Sequence, residues 1–554
     1  MPQTKYDIAV VGSGACGGWA AMALAQSGFR VALLEAGSNI NPAKDFHHVF
    51  PYELPFHGAG QPGLMKKRYP SATEYSYHIM INGEENPYTT APGKPFRWTR
   101  ARVLGGRTLH WGRCSDRMAD YEFHAASRDG YGDDWPISYA EIAPYYSRVE
   151  RFIGVSASND GFPQFPDGEF LPPMPLNCAE TIFAAACRKL GMPSTQRRVA
   201  QLTKMWQNRP PCHYCGNCIN GCDVGAMFST VSSTLPVAMR TKRVTLLCDS
   251  VVSKVLMDGE GHAKGVRYIE RYTKREVDLP ARVVVLAASS LESTRIMLNS
   301  TPGGIANSSG VLGHYLIDQV TGAGVSGFLP QLKGGRIRND DGKSAGLYVP
   351  NHIHLDGAKG SFIRGYAMSA SGGASMFPMF ALNHAGFGSG YKKEIKDLYP
   401  AFARVWMSGG EMLARKENFI ELDPQVRDAW EIPALRIHAD HCDNDKKLYA
   451  DFHARAAELF HAAHGEPLES KPFLAPPGSL IHEVGTCRMG ADKKTSVLNS
   501  YCQTHDVANL FVFGGGCFVS TGDKHPTLTM MALAARGCDQ IAELARQGDF
   551  GAAA

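Results

Sequence analysis

The chain has 554 residues, 44% of them apolar and 20% charged, with a net charge of +4 at pH 7. That length exceeds what one core usually holds, so two closely packed domains are expected, and the mild charge makes no case for a nucleic-acid partner. No run of about eighteen apolar residues offers a membrane span, and no export signal precedes the first strand pattern.

Tyr6 to Val11 is a short apolar run suited to a buried strand of a parallel sheet. It opens into Gly12-Ser13-Gly14-Ala15-Cys16-Gly17, a G-x-G-x-x-G turn. A helical stretch follows through Ala20 to Gln26 and stops at Ser27-Gly28, and a second strand, Arg30 to Leu34, ends on Glu35. In this setting Gly12 permits the tight turn, Gly14 lets the backbone approach a pyrophosphate, and Gly17 lets helix and strand pack closely. Exposed amides at the helix start attract phosphates, and Glu35 can accept from a ribose hydroxyl. An adenine dinucleotide is expected; the motif alone does not separate FAD from NAD.

Residues 38–95 are rich in Pro, Gly, Tyr and His and are expected to form loops over the nucleotide, with Lys66-Lys67-Arg68 as a solvated basic cluster. Order returns between Phe96 and Trp111, where Gly105-Gly106 imply close approach of the backbone to something flat or bulky. Ser138 and Glu141 have the spacing of a capping box. Strands are expected near Val244–Val255, Gly265–Ile269 and Val277–Leu286, the last running through Ala287 and Ala288 into a helix to Leu298. Strand, small residues and then helix suit a phosphate or adenine edge. From about 320 to 470, stretches such as Ser371-Gly372-Gly373 and His384-Ala385-Gly386-Phe387-Gly388 read as a second domain roofing the cofactor. Residues 478–544 return to strand and helix patterns, and Gly551 to Ala554 read as a frayed end.

Four of the fourteen cysteines fall in Cys212-His213-Tyr214-Cys215-Gly216-Asn217-Cys218-Ile219-Asn220-Gly221-Cys222, a C-x2-C-x2-C-x3-C run. Four thiolates in one short loop can wrap an iron–sulfur cluster, whereas zinc usually takes two cysteine pairs set a dozen or more residues apart. One iron–sulfur cluster on Cys212, Cys215, Cys218 and Cys222 is expected; the spacing leaves [4Fe–4S] and [3Fe–4S] open. Cys16, Cys114, Cys178, Cys187, Cys248, Cys442, Cys487, Cys502, Cys517 and Cys538 read as buried free thiols.

Four motifs in order now point to a family. The N-terminal fingerprint, Leu104-Gly105-Gly106-Arg107-Thr108, His482-Glu483-Val484-Gly485-Thr486-Cys487-Arg488-Met489-Gly490 and His525-Pro526-Thr527-Leu528-Thr529 resemble the glucose–methanol–choline (GMC) flavin oxidoreductases. The resemblance runs over nearly the whole chain. It implies an α/β fold with a discontinuous Rossmann-like FAD-binding domain and a substrate domain whose β-sheet covers the flavin. The corresponding division is 1–320 for the first FAD-binding part, with the cysteine loop inserted at about 205–230, then 321–475 for the substrate domain and 476–554 for the C-terminal FAD-binding part. FAD contacts are implied at Gly12, Gly14, Gly17, Glu35, Gly105, Gly106, Thr108, His110, Val252, Ala287, Gly516, Pro526 and Thr527. Two departures stand out: Gly514-Gly515-Gly516 replaces an Asp–Gly pair common in the family, and Arg107 stands where many members have a small residue. Thr108-Leu109-His110-Trp111 also resembles the stretch of pyranose 2-oxidases in which a histidine is bonded to the flavin's methyl edge; a histidine packed beside the ring is the alternative.

Oxidation of an alcohol removes a proton from oxygen and a hydride from carbon, and histidine suits the proton step near neutrality. His482 matches the family's catalytic histidine and is expected to be the general base. His525 matches its polar partner and is expected to orient the substrate hydroxyl. Within the family the chain resembles bacterial iron–sulfur-bearing sugar dehydrogenases, glucoside 3-dehydrogenases above all, by Trp135-Pro136-Ile137 and Asn307 to Gly313. A one-electron centre beside a two-electron flavin favours a dehydrogenase. The expected reaction is oxidation of a secondary alcohol of a sugar or glycoside at pyranose C3, with electrons leaving through the cluster to a cytochrome c or quinone. An oxygen-using oxidase with a structural cluster, a flavin-containing lyase and a non-catalytic redox subunit are the rivals. A periplasmic location is expected, reached with a small partner subunit that carries a twin-arginine signal; the cytoplasm is the alternative.

Overall fold

The computed structural model describes residues 6–46, 53, 68–69, 76–215, 218–336, 346–355, 360–372, 379–469 and 471–550. Lys66, Lys67, Gly373 and the last four residues, singled out above, lie outside them. The chain opens with β1 (Tyr6–Val11), α1 (Ala15–Gln26) and β2 (Val31–Leu34). After β3 (Thr89–Thr90), α2 (Tyr139–Ile153) and β4 (Thr195–Gln196) come β5 (Val244–Leu247), β6 (Ser250–Met257), β7 (Ala263–Glu270), β8 (Glu276–Leu286) and α3 (Ser290–Leu298). Then follow β9 (Gln319–Val320), β10 (Val325–Phe328), β11 (Leu347–Val349), β12 (Tyr366–Gly372), β13 (Phe402–Glu411), β14 (Phe419–Arg427) and β15 (Pro433–His438). The chain continues through α4 (Asp443–Ala462), β16 (Glu466–Pro467), β17 (Leu510–Val512) and α5 (Thr527–Gln547).

The first sheet has the order β5-β2-β1-β8-β7-β6, with β17 also on β8. Its β5, β2, β1, β8 and β17 run parallel, with Val10 opposite Leu33 on one side and Val285 on the other. Both faces of β1 are covered, which explains its nearly unbroken apolar run. The strand expected at Val244–Val255 breaks into β5 and β6 at Cys248-Asp249, where Asp249 adopts a φ of 53°. The small residues of α1 let it bury nearly its whole surface against α5 and the helix Thr234–Arg240.

The second sheet is antiparallel, in the order β16-β10-β13-β12-β11-β4 with β9 on β13, and a third joins β14, β15 and β3. The short strands β3 and β4 therefore leave the first half of the chain to pair with strands that follow residue 319. One cluster of buried side chains runs through the first and second sheets without a break, so the two share a core. The capping box forms at the start of α2, with Ser138 Oγ accepting from Glu141 N at 3.3 Å.

All fourteen cysteines are free. Seven of the ten expected to be buried are so, whereas Cys178 is exposed and Cys248 and Cys442 are half-buried. Cys178 opens a surface helix whose first turn is capped by Asn177, and this helical position takes the thiol out of the core. Among the described residues, no helix is long and apolar enough to cross a membrane.

Candidate active site

Three helix starts meet at one cavity. Helices α1, α3 and α5 follow Gly14, Ser289 and Pro526, none with a side chain capping the first turn. All three of these residues line a cavity of about 440 Å³. Uncapped amides and the positive end of each helix dipole make such a place favourable for phosphates and electron-rich ring edges.

The glycine turn is built as its spacing requires. Gly12 has a φ of +95°, and a Cβ there would stand 2.5 Å from Ala287 O; a Cβ on Gly17 would stand 1.8 Å from Gly12 O. A Cβ on Gly14 would meet nothing within 4 Å, because that face opens into the cavity. Glu35 is buried at the cavity edge. Its Oε2 accepts from the amide and hydroxyl of Ser13 at 3.1 and 2.5 Å, and its Oε1 from Gly37 N at 2.8 Å. Ser13 Oγ in turn accepts from Gly105 N at 2.8 Å, so the fingerprint and the Gly105-Gly106 loop are tied together.

Gly106, Thr108, His110, Val252, Ala287, Pro526 and Thr527 also line the cavity. Gly17 and Gly105 stand behind the wall as supports. So does Gly516, buried beside Gly485 and Cys487, while Gly514 and Gly515 take the lining place expected of it. Arg107 Nη1 donates to Glu483 Oε2 at 2.7 Å, bridging the glycine loop to the His482 motif. An FAD fits this lining: Gly14 leaves an open approach, three helix starts face it, and His110 Nε2 is buried with no hydrogen-bond partner. Burial, and then Arg107, bring His110 down to about 4, so the ring is neutral.

At the far end His482 and His525 face each other edge-on, their ring centres 5.2 Å apart. His482 Nδ1 donates to Gln319 Oε1 at 2.7 Å. The amide cannot be reversed, because Gln319 Nε2 donates at 2.9 Å to both Gly522 O and Lys524 O. Nε2 of His482 is therefore the unprotonated nitrogen and points its lone pair into the cavity. Burial, then His525, Arg107 and Arg197, keep the ring's proton affinity well below the ordinary histidine value. Asp318 holds the backbone of this turn, its carboxylate accepting from His482 N and Leu480 N.

His525 is the opposite case. Its Nδ1 donates to buried Asp116 at 2.5 Å; burial opposes protonation, but Cys114 and Asp116 outweigh it and hold the ring up at about 9. Arg197 Nη2 lies 3.1 Å from His525 Nε2 and donates to Ser408 Oγ at 2.7 Å. That approach to Nε2 is a hydrogen bond only when the ring is neutral; with the ring charged it is a repulsion between cations. The Asp116 contact is sound in either state, and together with Cys114 it sets the direction of the shift. Gln319, Asp116, Arg197 and Ser408 were not singled out from sequence, and each reaches the site through pairing between distant stretches.

The cysteine loop sits behind the cavity wall. Arg113, a lining residue, donates through Nε to Gln201 Oε1 at 2.5 Å, and Gln201 Nε2 reaches Cys212 Sγ at 2.8 Å. Tyr214 N also points to Cys212 Sγ, at 3.2 Å. Burial foremost, with Cys218 adding, raises the thiols of Cys212 and Cys222; Cys215 is exposed, and Gly216 and Asn217 lie outside the described residues. Among the described residues no three of the four thiols lie within 4.8 Å of one another. A zinc tetrahedron built on bonds of about 2.3 Å would draw its sulfurs to roughly 3.8 Å. Two N–H donors aimed at Cys212 Sγ suit a thiolate ligand in a loop of four such side chains.

Residues 57–321 match the N-terminal and residues 414–534 the C-terminal region of the GMC oxidoreductases. A 2-methyl-1,2-propanediol dehydrogenase of Mycolicibacterium austroafricanum is 29% identical over 97% of this chain and 95% of its own. The fructose dehydrogenase large subunit of Gluconobacter japonicus is 26% identical over 98% of each. In structure, pyridoxine 4-oxidase from Mesorbium loti superimposes with a TM-score of 0.64 over 97% of this chain and 99% of its own, at 16% identity.

Proposed function

The chain belongs to the GMC oxidoreductase family, and we propose that it is an FAD-dependent dehydrogenase oxidising a secondary alcohol of a sugar or glycoside, at pyranose C3, to a ketone. The family has dehydrogenase and oxidase members that act on alcohol groups, and its cofactor is FAD. The nucleotide half would rest on Gly12, Gly14, Glu35 and the start of α1, and the ring half on Gly106, Thr108, His110, Pro526 and Thr527. When bound, FAD supplies the hydride acceptor.

The chain's own residues supply the proton chemistry. The substrate hydroxyl gives its proton to Nε2 of His482, which is free because Gln319 holds the proton at Nδ1. His525, anchored by Asp116, donates a hydrogen bond to the same oxygen and favours the negative charge that develops on it. Ser408 and Trp406, two positions apart on β13, present a hydroxyl and an apolar ring face to the sugar.

Cys212, Cys215, Cys218 and Cys222 would hold an iron–sulfur cluster, supplying one-electron exchange with a cytochrome c or quinone. The Arg113–Gln201–Cys212 contacts, which run from cavity wall to thiol, support a site in communication with the cavity. We further read residues 1–320 and 476–554 as the FAD-binding part and 321–475 as the substrate part, and place the enzyme in the periplasm, exported with a small twin-arginine-bearing subunit.

The observation that carries this reading is the fixed tautomer of His482. Anaerobic bleaching of the flavin by a panel of sugars, glycosides and polyols tests it. Bleaching by sugars or glycosides, with little peroxide under air when an artificial acceptor is present, is the expected result; a flavin that no alcohol bleaches would reject it.

A further inference from the structure

Six arginines line the cavity, and most have a described carboxylate for company. Arg107 pairs with Glu483 at 2.7 Å, Arg295 with Asp428 at 2.8 Å, and Arg100 lies 3.8 Å from Glu292. Arg102 is charge-coupled to Glu292 and Asp428. Arg113 is turned to the amide of Gln201. Arg197 is different. It stands at the histidine end, and among the described residues its side chain donates a hydrogen bond only to the Ser408 hydroxyl and otherwise lies 3.1 Å from His525 Nε2.

Backbone pairing aims this side chain. Arg197 directly follows β4, and its N donates to Gly346 O at 3.1 Å. The guanidinium reaches in beneath β13, 5.7 Å from the ring of Trp406, and its Nε is shut off from solvent with no acceptor. A guanidinium offers five donors in a planar fork that matches a carboxylate, and a partly buried one without a counter-ion is costly. Two acids lie near it. Asp116 is held by His525 Nδ1. The Cys114 thiol, brought down to about 7, against its burial, by Arg197 and then His525, points Sγ to Gly112 O at 3.4 Å, so neither gives the guanidinium a direct ion pair. Two potential cations, Arg197 and His525, thus face each other across 3.1 Å in the reaction cavity.

We propose that Arg197 anchors a carboxylate carried by the substrate, so that the preferred substrates are uronates and their glycosides rather than neutral sugars. The inference rests on reading this cavity as the alcohol-oxidising site. It adds that the oxidised carbon lies within one sugar's length of an acid group, with the Trp406 face packed against the ring's C–H edge.

The test uses the holoenzyme and four probes: D-glucuronate, methyl glucuronoside, D-glucose and methyl glucoside. Anaerobic bleaching gives kcat/KM for each, and thermal shift gives binding without turnover. The wild type should favour the acids over the neutral probes. In Arg197→Gln the acid-to-neutral ratio of kcat/KM should fall on the order of 10–100-fold, the scale of one lost charge-assisted hydrogen bond, and Arg197→Lys should recover part of it. An unchanged ratio, with both classes weakened alike, would mean that Arg197 only positions His525 and would overturn the proposal. Neutral probes oxidised with no acid preference in the wild type would overturn it while leaving the alcohol-oxidising site intact. Acids that stabilise the wild type but not Arg197→Gln, with no probe bleaching the flavin, would support the anion site and reject the alcohol-oxidising reading.

Discussion

Gln319 Oε1 accepts a hydrogen bond from Nδ1–H of His482 at 2.7 Å, and this contact decides which imidazole nitrogen is left unprotonated. The relation predicts two different failures. Gln319→Leu keeps the volume but frees the tautomer, and kcat should fall roughly 10–100-fold, as when an orienting partner of a working histidine is lost. Gln319→Glu puts a carboxylate beside Nδ1 and raises the proton affinity of His482. The acid limb of the kcat/KM profile, well below pH 6.5 in the wild type, should then move upward. A pH profile that stays in place in Gln319→Glu would show that His482 is not the titrating base.

His482→Ala removes the base itself. Flavin reduction by substrate should slow by about 10²–10⁴-fold, with FAD content nearly unchanged because the nucleotide contacts lie elsewhere. Rapid-mixing absorbance under nitrogen measures it, and a wild-type rate would remove His482 from the mechanism.

The Asp116–His525 pair should show itself in stability. His525 binds its proton up to about pH 9 in the folded chain, against roughly 6.5 in an unfolded one. The stabilisation is therefore complete below about pH 6.5 and disappears as pH rises through 9. The gap in melting temperature between the wild type and Asp116→Asn should be widest near pH 6 and narrow toward pH 9.5. A constant gap would contradict the pairing.

For the cysteine loop, iron analysis and electron paramagnetic resonance should find iron in the wild type and a changed or missing signal in Cys218→Ser. If the cluster relays electrons, that variant should still be reduced by substrate and still reduce a small dye, while turnover with a cytochrome collapses. Equal retention of both activities would leave the loop a structural role.

His110 gives a test that needs no turnover. With Nε2 buried and unpartnered, a bond to the flavin would satisfy it, and yellow colour should then remain with acid-precipitated wild type and be lost from His110→Ala. Complete release of flavin from the wild type would leave His110 as a packing residue.

What sequence made legible was what is local. The glycine turn, the capping box at Ser138 and the two histidine motifs are each defined within a few neighbouring residues, and local geometry followed from them. Gln319, Asp116 and Arg197 sit in stretches with no motif. Gln319 meets His482 across 163 positions, and Asp116 meets His525 across 409. Their roles arise only when β9 lies on β13 and β4 joins the second sheet, pairings that no periodicity announces. The third sheet was hidden for the same reason, since it joins β3 near residue 90 to strands beyond residue 418.

The single amide of Gln319 gathers three stretches, one at residue 319, one at 482 and one at 522–524. One side chain thus acts as a three-way joint. A shift of any one of these stretches that turned the amide over would leave the imidazole free to present either nitrogen to the cavity. Remote changes in the 522–524 loop can therefore reach the reaction without touching substrate.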